Sequence, residues 1–238
     1  MDKFLYESTL ISGAEKMGLP IENDCIPKLT ALYELMIDEN TRQNLTRITK
    51  EDEAAEKHIL DSLSIIPYLK KDVCIADIGC GAGFPALPVA CIRNDVKITA
   101  VDSTQKRIRY VDFAAKTLGL HNVSALCARA EDLGKKAEYR ECFDVCTARA
   151  VAALNILCEY CLPLVKVGGI FAAMKANADE EIKASENAIK LLGGKISQVE
   201  KIKLPFSNAE RTVIIIKKVK PTPLSYPRIG GVIIKKPL

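Results

Sequence analysis

The chain has 238 residues, 48% of them hydrophobic and 27% charged, which is enough to bury the core of one domain. Charges are scattered through the first residues, and no run of about 18 apolar residues occurs, which argues against a signal peptide and a membrane-spanning helix. We therefore expect a soluble, cytoplasmic protein.

The first part of the chain, residues 1–70, has the pattern of helices. In CIPKLTALYELMIDENTRQN, apolar side chains recur at steps of three and four residues, as they do on one face of an amphipathic helix. These residues are Ile26, Leu29, Leu32, Tyr33 and Met36. The stretch TKEDEAAEKHILDSLSIIPYL begins with Thr49 followed by acidic residues, which is typical of a helix N-terminus. Residues 1–70 are therefore predicted to form an N-terminal helical extension.

From Val73 onward, short apolar runs alternate with helical stretches. The runs are VCIADI, KITAVD, VSALCA, FDVCTA and GGIFAAMK. This alternation predicts βαβ units and an α/β fold with a parallel sheet covered on both faces. The runs KISQVEKIKL and RTVIIIKKV are joined by a short polar link, so we expect an antiparallel pair. The sheet domain is assigned to residues 71–219 and an extended, basic, Pro/Gly-rich arm to residues 220–238.

The strand that ends at Asp77 runs into the glycine-rich segment GCGAGFP. Glycine tolerates positive φ and has no Cβ, so three alternating glycines starting at Gly79 predict a tight turn that a ligand can approach closely. The dinucleotide fingerprint needs a glycine where Phe84 stands, and Pro85 removes an N–H group that a pyrophosphate would use. A nicotinamide-dependent reductase is therefore disfavoured but stays open as an alternative.

Acidic residues follow the next two predicted strands. Asp102 ends the second strand, 23 residues after Gly79, and Glu131 follows Ala130 after the third. Carboxylates at the carboxyl ends of parallel strands accept hydrogen bonds from ribose hydroxyls, and an adenine ring would lie beside Ala130. The three elements together predict an adenosyl site.

Cysteine spacing gives no metal site. Cys142, Cys146, Cys158 and Cys161 are the four that could be considered, but a zinc site is usually built from two C-x2-C pairs. Here the strand pattern around Cys146 and the helix pattern around the last two favour thiols packed in the core. We predict no bound metal.

This combination resembles the S-adenosylmethionine-dependent methyltransferases of the Rossmann-like class. The resemblance implies a class I fold, a mainly parallel twisted sheet with helices on both faces, and S-adenosylmethionine as the cofactor. Enzymes of this class that methylate exocyclic amines usually carry an Asn/Asp-Pro-Pro-aromatic motif after the fourth strand. Here that strand ends in CTARAVAAL, with Arg149 in place of the motif. An adenine-N6 or cytosine-N4 acceptor is therefore disfavoured.

A more specific resemblance extends over nearly the whole chain. The segments NLTRIT, HILDSL, DIGCGAGFPALPVA, DSTQKRIRYV, ARAED, TARAVAAL and GGIFAAMKA follow one another as in the RsmG (GidB) family of bacterial methyltransferases. Members of that family act on guanine N7 in 16S rRNA. The resemblance implies the 30S subunit, or its assembly intermediate, as partner and nucleotide 527 of the decoding-region loop as target.

The resemblance also implies site residues at matching positions. The expected contacts of S-adenosylmethionine are Gly79, Phe84, Asp102, Ala130, Glu131 and Arg149. Asn44, His58 and Asp61 would line the pocket over the cofactor and the target base without transferring protons. Guanine N7 already has an in-plane lone pair, so the enzyme needs proximity more than a general base. A carboxylate, Asp61 or Glu131, would stabilise the charge that develops on the ring.

Basic residues around the mouth of the crevice are the predicted RNA contacts. They are Arg42, Arg47, Lys106, Arg107, Arg109, Lys175, Lys217, Lys218, Arg228, Lys235 and Lys236. Residues 195–238 hold ten Lys or Arg against two Asp or Glu, as expected for a segment that neutralises phosphates. Because aromatic residues make up only 5% of the chain, recognition would depend on phosphates and RNA shape. A small-molecule methyltransferase and a non-catalytic RNA-binding module stay open as alternatives.

Overall fold

A computed structural model describes residues 2–19 and 21–238, and these residues form one seven-stranded sheet. The strands are β1 (Cys74–Ile78), β2 (Lys97–Asp102), β3 (Val123–Cys127), β4 (Phe143–Arg149), β5 (Val165–Lys175), β6 (Gly194–Lys203) and β7 (Glu210–Lys218). Their order across the sheet is β3–β2–β1–β4–β5–β7–β6, and β7 runs in the opposite direction to the other six strands. The predicted α/β class and the antiparallel last pair are confirmed.

Helices precede the sheet, connect its strands and, in one case, follow its last strand. They are α1 (Lys3–Met17), α2 (Ile26–Gln43), α3 (Glu51–Ala54), α4 (Asp61–Leu63), α5 (Ala86–Ile92), α6 (Gln105–Thr117), α7 (Ala130–Leu133), α8 (Leu154–Cys161), α9 (Asp179–Ala184), α10 (Glu186–Leu191) and α11 (Gly230–Lys235). A π-helical segment, Ala55–Leu60, joins α3 to α4. Within the described ranges, no helix is long and apolar enough to cross a membrane.

The N-terminal helices pack into the core that also covers one face of the sheet. The five residues of the predicted apolar stripe on α2 are all buried, so that prediction is confirmed. Tyr6 of α1 donates a hydrogen bond from its hydroxyl to the Leu29 carbonyl oxygen at 3.0 Å and stacks on Tyr33 with ring centroids 4.6 Å apart. These contacts fix α1 and α2 relative to each other beside the sheet.

The strand order creates a crevice at the carboxyl ends of β1 and β4. These two central strands are neighbours, but the chain leaves β1 toward β2 on one side and β4 toward β5 on the other. Such a reversal opens a space between the loops that follow the two strands, and ligands of open α/β sheets bind there. The glycine turn follows β1 at this position.

The C-terminal arm differs from its prediction. An extended arm was expected over residues 220–238, but residues Gly230–Lys235 form the short helix α11. Ile233 of this helix is fully buried, so the arm packs on the sheet domain through an apolar anchor.

Candidate functional site

The glycine turn has the positive backbone φ angles that its sequence predicts. Gly79, Gly81 and Gly83 all have positive φ, and the Gly79 amide donates to the Val101 carbonyl oxygen at 2.8 Å. A Cβ added at Gly79 would lie 2.5 Å from a methyl carbon of Val151. Only glycine therefore allows the loop after β4 to lie this close to the turn.

Asp77 holds three elements together beneath this turn. Its carboxylate accepts hydrogen bonds from the Thr147 hydroxyl on β4 at 2.9 Å and from the Ala86 amide at the start of α5 at 3.2 Å. Burial raises the pKa of Asp77 from 3.8 to about 7, although both hydrogen bonds lower it. In the sequence Asp77 marked only the end of a strand, and its role as a link appears only in the fold.

A first cavity of about 390 Å³ lies beside the turn, and we name it the glycine-turn cavity. Four of the predicted cofactor residues line it, namely Gly79, Asp102, Ala130 and Glu131. Its other walls are largely apolar and include Val101, Ile156, Tyr160 and Ile234. An apolar cavity with a few polar groups at its edge is the usual form of a small-molecule site.

Two almost buried carboxylates give this cavity its polarity. Asp102 is 4% exposed and accepts hydrogen bonds from the amides of Gly81 at 3.1 Å and Thr104 at 2.8 Å. Glu131 is 6% exposed, and Arg129 forms an ion pair with it at 3.7 Å. Carboxylates are acceptors that can bind ribose hydroxyls, and their negative charge repels phosphate. The residues present therefore fit an adenosyl group without a pyrophosphate.

A second cavity, of about 500 Å³, opens at the carboxyl end of β4, and we name it the arginine cavity. Its central group is Asp61, whose Oδ2 lies 3.2 Å from Arg149 Nη1 and 3.2 Å from Arg211 Nε. Arg149 also donates to the Lys57 carbonyl oxygen at 2.9 Å. Four basic and two acidic side chains of the described residues line this cavity, and each of the four cations has a carboxylate partner within 3.2 Å.

His58 lines the arginine cavity in an almost buried position. Its Nε2 lies 2.9 Å from the Thr46 hydroxyl and 3.3 Å from the Ile48 carbonyl oxygen, whereas no partner lies near Nδ1 within the described part of the chain. Burial and, next, the positive charge of Arg149 lower the pKa of His58 from 6.5 to about 4. The imidazole is therefore neutral near pH 7.

The loop after β4 separates the two cavities. Ala150 lines the arginine cavity, while Val151 and Ala152 line the glycine-turn cavity. The fold thus brings four of the six predicted cofactor residues and, of the predicted base-pocket residues, His58 and Asp61 to adjoining sites.

Two predicted cofactor residues lie outside the glycine-turn cavity. Phe84 is 5% exposed and stacks on His58, with ring centroids 4.7 Å apart, and the Arg149 guanidinium lies 5.4 Å from its ring centroid. Phe84 thus packs against two residues that line the arginine cavity, His58 and Arg149. Direct contact of these two side chains with a cofactor stays a prediction.

Asn44 ends α2 in the left-handed conformation, with φ of 47°, and is exposed. It does not line either cavity, but two residues later Thr46 contacts His58. Sequence reasoning did not identify Thr46 or Arg211. Arg211 lies far along the chain from Asp61, and the helical pattern of the N-terminal part does not show that Thr46 turns back to contact His58.

Two predicted RNA contacts on β7 are corrected. Lys218 is fully buried, and its ammonium lies 3.0 Å from Glu141 and donates to the Leu162 carbonyl oxygen at 2.6 Å, so its prediction as an RNA contact is wrong. Lys217 is exposed. In the β5–β7 register it lies opposite Ile170, five residues before Lys175 at the carboxyl end of β5. Because β7 is antiparallel to β5, Lys217 lies toward the amino ends of the parallel strands, away from the cavities at their carboxyl ends.

The other predicted RNA contacts divide into paired and exposed residues. Arg228 is bound by the buried Glu159 at 2.6 Å, and Lys175 is paired with Glu181 at 2.8 Å, so neither charge is free for a phosphate. The remaining residues are exposed: Arg42, Arg47, Lys106, Arg107, Arg109, Lys235 and Lys236. Two of them are also ion-paired, Arg42 with Asp38 at 3.0 Å and Arg107 with Asp102 at 3.4 Å.

The four cysteines considered as metal ligands differ in their exposure. Cys146, Cys158 and Cys161 are fully buried in the core, and burial raises the pKa of each thiol, whereas Cys142 is exposed. In residues 2–19 and 21–238, no group of three or more His, Cys, Asp or Glu side chains could hold a metal ion.

Comparison with known proteins identifies close relatives over nearly the whole chain. The family model described as GidB, rRNA small subunit methyltransferase G, matches residues 25–213. The chain is 43% identical over 230 residues to a protein named ribosomal RNA small subunit methyltransferase G from Acetivibrio thermocellus, covering 96% of this chain and 95% of that protein. A Geobacillus protein of the same name is 44% identical over 227 residues, covering 94% and 95%.

Solved structures share the fold at lower identity. A SAM-dependent methyltransferase from Aquifex aeolicus has a TM-score of 0.55 and 16% identity, covering 70% of this chain and 93% of that one. TYW2 from M. jannaschii, solved in complex with AdoMet, has a TM-score of 0.54 and 15% identity, covering 68% and 76%. These similarities confirm the predicted Rossmann-like class I methyltransferase fold.

Proposed function

The chain belongs to the rRNA small subunit methyltransferase G family, and from this membership we propose that it transfers the methyl group of S-adenosylmethionine to N7 of a guanine in 16S rRNA. The target we propose is nucleotide 527 in the decoding-region loop. The observation that carries this proposal is the pair of adjoining cavities, one suited to an adenosyl group and the other lined by His58, Asp61 and Arg149.

The glycine-turn cavity is the proposed cofactor site. Asp102 and Glu131 would accept hydrogen bonds from the ribose, and the backbone of Gly79 would lie against the amino-acid part. S-adenosylmethionine, when bound, supplies an electrophilic methyl group on a positively charged sulfur. An alternative dinucleotide would place phosphates near two carboxylates, which opposes its binding.

The arginine cavity is the proposed site of the target base. Because its pKa is lowered to about 4, His58 is a weak base, and it would position the target base by packing and hydrogen bonding. Asp61 lines this cavity, whereas Glu131 lines the other, so Asp61 is the better placed to stabilise positive charge on a methylated guanine ring. Arg149 and Arg211 keep the Asp61 carboxylate in a fixed position.

Exposed basic residues on α2 and α6 would bind the RNA backbone. Lys106 and Arg109 lie on α6, and the Lys106 ammonium lies 3.4 Å from the carbonyl oxygen of Arg42 at the end of α2. The two helices therefore bring basic side chains to one surface, which would face the 30S subunit or its assembly intermediate in the cytoplasm. Phosphate contacts of this kind give affinity that falls with salt concentration.

The direct test is transfer of labelled methyl groups from S-adenosylmethionine to 30S subunits that lack the modification. Cleavage of the RNA at alkali-labile 7-methylguanosine then locates the label. Label at guanine 527 alone is the expected result. Label at another atom or nucleotide would overturn the proposed specificity, and binding of S-adenosylmethionine without transfer to any small-subunit RNA would overturn the proposed substrate.

Matched charge reversals test the proposed RNA surface. Arg109→Glu should lower the slope of log affinity against log salt concentration by about one, because one phosphate contact is lost. Lys217→Glu makes a similar change at an exposed residue toward the opposite edge of the sheet and should leave the slope unchanged. Equal effects of the two variants would refute the proposed surface.

A further inference from the structure

We propose that the C-terminal arm completes the cofactor site, with Gly230 positioning the Glu131 carboxylate and Ile234 forming an apolar wall that contacts the adenosyl group. The identity of the ligand rests on the function proposed above. The arm lies beyond residues 25–213, the part of the chain that the family model matches.

Polar contacts fix the arm to the sheet domain before it reaches the cavity. Arg140 donates from Nη1 to the Tyr226 carbonyl oxygen at 2.8 Å and from Nη2 to that of Thr222 at 2.7 Å. Glu159, which is fully buried, accepts hydrogen bonds from the Arg228 amide at 2.7 Å and guanidinium at 2.6 Å. An arm held by a buried ion pair has a defined position over the domain.

This anchoring places Gly230 directly against a residue of the cofactor site. A Cβ built on Gly230 would lie 2.0 Å from Oε1 of Glu131, closer than two such atoms can approach. The obstructing atom is the end of a flexible side chain, so a larger residue would displace the carboxylate and leave the fold intact. Gly230 therefore sets where the Glu131 carboxylate lies in the cavity.

Ile234 lies on α11, four residues after Gly230, and its side chain lines the glycine-turn cavity. Its neighbour Ile233 is fully buried, whereas Ile234 is 62% exposed. The helix thus uses one isoleucine as an anchor and presents the next to the cavity. Binding of an adenosyl group beside this side chain would remove apolar surface from water, which favours the bound state.

The first test compares two neighbouring glycines. Gly230→Ala should weaken S-adenosylmethionine binding about fivefold or more by isothermal titration calorimetry. Gly231→Ala is the matched control, because a Cβ there meets nothing within 4 Å. Both variants should keep the melting temperature of the ligand-free protein. In a Glu131→Ala background, where the carboxylate is gone, Gly230→Ala should cause no further loss, which a purely structural role would not explain.

The second test compares two exposed isoleucines of the arm. Ile234→Ala should weaken binding about threefold to tenfold. Ile229→Ala makes the same change at a residue that is 67% exposed and does not line the cavity, and it should bind like the unmodified chain.

The outcomes separate this inference from the proposed function. An unmodified chain that does not bind S-adenosylmethionine would overturn the proposed function. An unmodified chain that binds it, together with Gly230→Ala and Ile234→Ala variants that bind as tightly as their controls, would overturn the role of the arm and leave the proposed function standing.

Discussion

Removing one buried hydroxyl group, by Thr147→Val, should destabilise the protein by an amount that depends on pH. The Thr147 hydroxyl donates to Asp77 at 2.9 Å, and neither residue is more than 1% exposed. A hydrogen bond between neutral groups contributes about 0.5–1.5 kcal/mol, and one to a charged group about 1.5–3 kcal/mol. Because the pKa of Asp77 is about 7, its side chain is neutral at pH 5 and charged at pH 8.

The expected loss is therefore about 1 kcal/mol at pH 5 and about 2 kcal/mol at pH 8, with a fall in Tm of about 2–4 °C per kcal/mol. The folded pKa of Asp77 lies above its ordinary value of 3.8. Its contribution to stability is consequently greatest below that value and falls as pH rises through about 7. Loss of the Thr147 hydroxyl raises the folded pKa further and makes this fall larger.

Urea unfolding at pH 5 and pH 8 measures the difference directly. Thr212→Val is a suitable control, because the Thr212 hydroxyl is also buried but donates to an uncharged acceptor, the Ala176 carbonyl oxygen, at 3.1 Å. Its cost should be the same at both pH values. Equal losses for Thr147→Val at pH 5 and pH 8 would show that Asp77 does not change its charge in this range.

Further predictions concern the arginine cavity and the arm. Asp61→Asn should slow methyl transfer by about a hundredfold in single-turnover assays. The Kd of S-adenosylmethionine should stay within about threefold, because Asp61 lines the arginine cavity and not the proposed cofactor site. A loss of cofactor affinity as large as the loss of rate would contradict this role. His58, with a folded pKa lowered from 6.5 to about 4, stabilises the protein above pH 6.5 and loses this effect as pH falls toward 4. His58→Gln should therefore flatten the decline of Tm between pH 6.5 and pH 4.5, and an unchanged decline would refute the assignment. Arg228→Ala removes the guanidinium that pairs with the buried Glu159, leaves only the backbone amide of residue 228 as a donor, and should cost about 2–4 kcal/mol in urea unfolding. Glu159→Gln in the same chain should restore part of this loss, and an unchanged unfolding midpoint for Arg228→Ala would show that the pair is not stabilising.

Local sequence patterns were enough to predict the elements of the fold and one side of the site. The apolar steps in α2 and the alternation of strands and helices depend on residues a few positions apart, so they can be seen without the fold. The turn at Gly79 and the carboxylate of Asp102 follow consecutive parallel strands, whose carboxyl ends must meet at one edge of the sheet. Their common cavity was therefore predictable.

Other features depend on contacts between distant parts of the chain. Arg211 reaches Asp61 only because β7 inserts between β5 and β6. The same insertion buries Lys218, which the basic composition of the C-terminal segment had predicted to be an exposed RNA contact. The loop after β4 divides the two cavities because Gly79 leaves room for Val151.

The sequence by itself thus determined the fold class, the cofactor turn and the family resemblance, because periodicity and backbone preference act over short stretches of chain. Only the tertiary structure decided which charges are buried, which residues face each cavity, and that Gly230 and Ile234 of the arm lie beside Glu131. Those outcomes depend on how the helices and strands pack, and packing brings together side chains that no local pattern relates.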